Sequence, residues 1–173
     1  MELEERFREG DAQAFELLFR QYQREVYAWI VRIVRNAATA EDLTIETFWR
    51  VYRARTRFDA AKGSFPVWLR RIATHAALDH LRQKRPEVDL PADFPDARIP
   101  PPGRQSDERR AISKAMNRMS PKLRVTVLLA LVEEEPYENI AQSMGITVGA
   151  VKTRVFRGVR ILRKLLSKQG VRP

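Results

Sequence analysis

Apolar residues recur at helical spacing almost from one end of this chain to the other. Phe15, Leu18, Phe19, Tyr22, Val26, Trp29, Ile30 and Ile33 follow one another at intervals of three and four, which puts them on one stripe of a helix. Asp11 stands where such a helix takes its N-cap. A second helix is expected from Thr39, capped by its hydroxyl, with Leu43, Thr47, Phe48, Val51 and Tyr52 on its stripe. Gly63 in "FDAAKGS" interrupts the pattern, and Ser64 then caps a third helix with Pro66 in its first turn. That helix carries Leu69, Ile72, Ala73, Ala76 and Leu81 inward. Further on, Ile112, Ala115, Met116 and Met119 mark a short helix. Ser120-Pro121 restarts the chain into a helix bearing Leu123, Val127, Leu128 and Leu131, and Pro136 opens the next. No segment alternates with the period of two that a half-buried strand requires, and the expected class is all-α.

One stretch breaks the rhythm. Residues 86–107, "PEVDLPADFPDARIPPPGRQSD", hold six of the ten prolines. Proline removes a backbone donor and biases its predecessor away from helix, so an extended linker is expected there. It separates two small helical domains, residues 1–85 and 108–173.

Charge divides the chain at the same places. The net charge of +10 splits into +4 for the first domain, −3 for the linker and +9 for the second domain. Two basic modules flanking an acidic tether point to a polyanionic partner. There is no Cys, which excludes disulfides and thiolate metal sites and suits a reducing compartment. The longest apolar run, Val125 to Val132 with Thr126 inside it, is too short to cross a bilayer. The charged opening "MELEERFREG" has no signal-peptide core. A soluble cytoplasmic protein without membrane insertion is expected.

The segment "YENIAQSMGITVGAVKTRVFRGVRILRKLL" carries the candidate chemistry. A helix over 136–144 would bury Ile140, Ala141 and Met144, Gly145 would end it through a positive φ, and Thr147 would cap its successor. That is a helix-turn-helix layout. Projected at 100° per residue, the second helix puts Val151, Val155, Val159, Leu162 and Leu166 on one face. Thr153, Phe156, Arg157, Arg160 and Lys164 fall opposite. Gly149 and Ala150 are small enough to let the backbone approach a groove. Lys152 and Thr153 sit closest to base edges, and the arginines further along suit phosphates. The same stripe fits an amphipathic hairpin whose basic face is simply solvated.

This stretch resembles region 4 of bacterial sigma factors of the extracytoplasmic-function (ECF) group. "AEDLTIETFWRVYR" and "FPVWLRRIATHAALDHLRQKR" resemble parts of region 2 of the same family. The resemblance covers nearly the whole chain in the family's order. It implies that Asp42, Leu43, Ile45, Glu46 and Phe48 meet the β′ clamp helices of RNA polymerase core. Ile45 departs from the usual Gln of that pattern. It implies that Arg70, Arg71, His75, Asp79 and Arg82 lie on the minus-ten side of promoter DNA, with His75 where Asn is common. It also implies that the loop from Phe58 to Ser64, through Phe58, Phe65 and Lys62, captures an unstacked base. The second domain would read the minus-thirty-five element and meet the β flap. An anti-sigma factor is implied as a further partner, and no cofactor, metal or catalytic group is.

Two other classes fit parts of the sequence. An autonomous helix-turn-helix regulator would leave the first domain without a role. A metal-dependent hydrolase built on His75, Asp79 and His80 with Asp42 and Glu46 would use both histidines of the chain, in no recognised metal motif.

Overall fold

A computed structural model describes residues 2–83 and 107–167. The chain divides into two compact units. Among the described residues all regular structure is helical, as the periodicity predicts. Residues 86–106 of the expected linker lie outside those described, whereas Asp107, given to the linker, opens a helix.

The first unit consists of α1 (Leu3–Arg8), α2 (Ala12–Val34), α3 (Ala37–Arg53) and α4 (Phe65–Gln83), with short 3-10 turns at Arg55–Arg57 and Ala60–Lys62. α2, α3 and α4 pack pairwise around one core. α1 is absent from the sequence reading because its register offers one large apolar residue to the core. That residue, Phe7, is fully buried, stacked on Phe15 at 5.9 Å and edge-on to Phe65 at 5.7 Å. Asp11 caps α2 as expected, accepting from the backbone N–H groups of Gln13 and Ala14 while Arg6 donates to its other oxygen at 2.6 Å. The Arg6 hydrogen bond, then those of the backbone, hold the Asp11 carboxyl below its ordinary range. The cap of α3 differs from expectation. Asn36 takes the position, accepting from the Thr39 N–H at 2.8 Å, and Thr39 lies inside the helix. An Asn side chain reaches the third N–H as well as a hydroxyl does, and it stands three residues earlier.

Most buried polar groups in this unit find partners, the Arg55 Nε being an exception among the described residues. Thr44 and Thr47 donate to the carbonyls of Ala40 and Leu43, each at 2.7 Å. The indole N–H of Trp29 donates to Thr74 Oγ1 at 2.9 Å and ties α2 to α4. An unpartnered donor there would cost about 1–3 kcal/mol.

The second unit contains α5 (Asp107–Asn117), α6 (Pro121–Leu131), α7 (Tyr137–Met144) and α8 (Val148–Ser167). Ser120 caps α6 with Pro121 at its first position. Pro136 is the N-cap of α7 and not its first residue. α6 is buried nearly all round from Arg124 to Leu129. Arg124 is 8% exposed and donates to the carbonyls of Met116 and Met119, at 3.0 and 3.2 Å. Its cation thus meets carbonyls at and just beyond the C-terminal end of α5, where the Met116 carbonyl also accepts from the Met119 N–H at 3.2 Å. Ile112 and Leu131, expected inside, are exposed. Ala111 is buried in place of Ile112, while Ala115, Met116 and Met119 are buried as expected.

Candidate nucleic-acid interface and partner face

The turn before α8 forms as its residues dictate. Gly145 ends α7 at φ 63°, and its N–H reaches the Ala141 carbonyl. Thr147 Oγ1 accepts from the Ala150 N–H at 3.1 Å. Val151 and Val155 are buried, and so is Gly158. A Cβ on Gly158 would lie 2.2 Å from Val127 Cγ2, so the glycine lets α8 press against α6. Sequence periodicity missed it because glycine contributes nothing to an apolar stripe.

With that face fixed, Gly149, Lys152, Thr153, Phe156, Arg157 and Arg160 are all exposed, and Ala150 is half-buried. Thr153 donates its hydroxyl proton to the Gly149 carbonyl at 3.0 Å, leaving its oxygen lone pairs and methyl facing outward. Phe156 is 65% exposed. α8 contains six cations and no acid, so no intrahelical pair neutralises its outer face.

α3 presents the opposite character. Asp42, Ile45, Glu46 and Trp49 recur at helical spacing and are exposed, Ile45 at 51% and Trp49 at 60%. Leu43 and Phe48, expected on this face, are buried. The Phe48 ring packs edge-on against Phe19 at 4.8 Å, so these two hold the helix from beneath. Trp49 was missed by the sequence reading, although its position four residues after Ile45 places it on the same stripe.

The expected minus-ten residues fall into two groups. Lys62, Arg71 and Arg82 are exposed and His75 is half-buried. Phe58 is buried between Phe65 at 5.5 Å and Trp68 at 5.3 Å, which removes its ring as a stacking platform. Phe65 is buried too. Arg70 pairs with Glu25 at 3.1 Å and lies over the Trp29 ring. Asp79 is held by Arg50 of α3 at 3.1 Å and by Arg82. Burial opposes ionisation of Asp79, but the hydrogen bonds from both guanidinium groups outweigh it and hold the carboxyl below its ordinary value. That leaves Asp79 poorly suited to a metal, and among the described residues no cluster of three or more His, Cys, Asp or Glu is placed to hold one.

Comparison with known proteins decides the family. The sigma-70 region 2 model matches residues 18–87, and the sigma-70 region 4 model matches residues 109–162. RNA polymerase sigma factor CarQ of Myxococcus xanthus is 39% identical over 168 residues, covering 95% of each chain. ECF RNA polymerase sigma factor SigW of Bacillus subtilis is 31% identical, covering 92% of each. The chain belongs to the ECF sigma factors. Its fold matches a solved sigma factor RpoE of Bartonella quintana, in complex there with the anti-sigma factor NepR, at a TM-score of 0.70 and 20% identity. That match covers 90% of this chain and 98% of the other. A sigma factor binds RNA polymerase core and directs promoter-specific initiation, and both of its DNA-reading regions are present here. The region 2 match gives the first unit the role that an autonomous regulator would leave empty. No helix among the described residues is long and apolar enough to cross a membrane.

Proposed function

We propose that the exposed α3 stripe of Asp42, Ile45, Glu46 and Trp49 is the surface by which this sigma factor grips the β′ clamp helices. Two acids beside two large apolar side chains suit a partner with cations around an apolar strip. Ile45 in place of the family's Gln then contributes apolar contact where an amide would hydrogen-bond. Arg71, His75 and Arg82 of α4, with Lys62 of the preceding turn, face the minus-ten element. On α8, Lys152, Thr153 and Phe156 lie at base edges of the minus-thirty-five element, Gly149 and Ala150 allow close approach, and Arg157 and Arg160 bind phosphates. The second unit also meets the β flap. The protein works in the cytoplasm, catalyses no reaction itself, and is held inactive by an anti-sigma factor, as RpoE is bound by NepR.

The observation that carries this reading is the separation of surface chemistry within one chain: an acidic and apolar stripe on α3, and an acid-free cationic face on α8. The test is run-off transcription with purified core polymerase and a promoter library. Transcripts from a subset sharing two spaced elements are expected. No transcription above core polymerase alone would refute the proposal.

A further inference from the structure

The two faces of the first unit are joined by one continuous chain of charged groups. Glu46, on the α3 stripe, accepts from Arg50 Nε at 2.9 Å and from Nη2 at 2.5 Å. The remaining Arg50 nitrogen, Nη1, reaches Asp79 Oδ2 on α4 at 3.1 Å. The other oxygen of Asp79 accepts from Arg82. Two acids and two cations alternate, and each interior group divides itself between two partners. Arg50 and Asp79 are about a third exposed, whereas Arg82 stands further out, with 63% of its side chain in solvent.

We infer that Arg50 is a positioning residue that couples polymerase docking on α3 to promoter binding by Arg82 on α4. This rests on the proposed roles of the two faces. When a cation of the polymerase engages Glu46, Arg50 loses its bidentate partner and Asp79 becomes its remaining acid. An Asp79 carboxylate taken up by the Arg50 fork holds Arg82 less, and the Arg82 guanidinium is freed for a backbone phosphate. The reverse order gives the same sign. A phosphate that draws Arg82 away leaves Asp79 to Arg50, and Glu46 is released toward the polymerase. Coupling of two binding events is reciprocal, so each must tighten the other by one and the same factor. Asp79 thus acts inside the protein, as a relay, and not at the DNA surface.

The experiment measures the affinity of the sigma factor for core polymerase with and without a saturating fork-junction promoter fragment. The ratio of the two is the coupling factor. Arg50→Met should lower that factor at least about fivefold, the lower end of typical coupling. Arg50→Lys, which keeps the charge but cannot fork between two acids, should recover only part of it. Arg82→Ala, at an exposed position that folding does not depend on, should lower the factor as much. The double variant should fall no further than either single one. Additive losses, or an unchanged factor in Arg50→Met with full helical content, would overturn the relay. Glu46→Lys separates this from the proposed docking face. If Glu46→Lys leaves core affinity intact, the face itself is misassigned. If it weakens core binding while Arg50→Met leaves the coupling factor unchanged, the docking face stands and the relay alone is wrong.

Discussion

At the scale of single residues, two backbone positions in the second unit carry opposite constraints. Gly158 is needed for closeness. Its missing Cβ would stand 2.2 Å from Val127 Cγ2, inside the contact between α8 and α6. Gly158→Ala gains about 1 kcal/mol of helix propensity, but overpacking of a closed core costs about 1–3 kcal/mol. The packing loss should prevail, and thermal unfolding of the second unit should begin lower by several degrees. Adding Val127→Ala should restore part of the loss, because it removes the methyl that the new Cβ meets. Equal and additive losses would mean that the helices separate freely there. Glu134 carries the opposite constraint. It is exposed in the loop between α6 and α7 at φ 51°, a left-handed conformation that costs an L-residue about 1–2 kcal/mol. Gly enters that region freely but loses more chain entropy on folding. Glu134→Gly should therefore stabilise the unit by roughly 0.5 kcal/mol. A fall in the denaturant midpoint would show that the Glu134 side chain contributes more than its backbone strain removes.

Among elements, legibility follows the range of the interaction that decides each feature. The Asp11 and Thr147 caps, the Gly145 stop and the valine stripe of α8 were readable because each depends on residues within one or two turns. The burial of Phe58 was not readable, since its ring is enclosed by side chains of a following helix that sequence alone does not place. The bridge from Arg50 to Asp79 spans 29 residues and leaves no local pattern. Its cost and benefit can be titrated. Asp79 has its carboxyl pKa depressed in the folded chain. Its contribution to stability is therefore full above its unfolded value, near 3.8, and is lost as pH falls through the lower folded value. The first unit should lose stability in that acid window, and Asp79→Asn should flatten that part of the pH profile while lowering stability at neutral pH. A profile identical to that of the parent protein would remove Asp79 as the α3–α4 tie. On α8 the separation of roles is equally testable. Arg160→Ala should weaken binding to all minus-thirty-five variants by a similar factor and lower the salt slope by about 1. Lys152→Ala should instead relax preference at one base position by roughly 1–3 kcal/mol. If Arg160→Ala moves neither affinity nor slope, the basic face of α8 is only solvated.

For the whole molecule, the question is what the single chain adds to its two units. Each unit has its own core: α2, α3 and α4 enclose one, and α5 to α8 enclose the other. Each also carries its own excess of positive charge, +4 over residues 1–85 and +9 over 108–173. Both should therefore fold when produced as separate fragments, and the sum of their helical spectra should match that of the intact chain. Their binding should not be equivalent. In one chain, a first contact holds the second unit near its own element at an effective concentration on the order of millimolar when the tether spans both sites. The larger basic charge on the second unit strengthens the long-range attraction to DNA, and in the proposed docking role the acidic stripe on α3 would direct the first unit to the polymerase. Supplied as two fragments at micromolar concentration, the units must find their sites independently. Run-off transcription from a promoter with both elements should then fall by roughly 10²–10⁴-fold relative to the intact chain. It should recover as the fragment concentrations approach the millimolar range. Transcription from the fragments equal to that of the intact protein at micromolar concentration would show that the linkage contributes nothing to promoter selection.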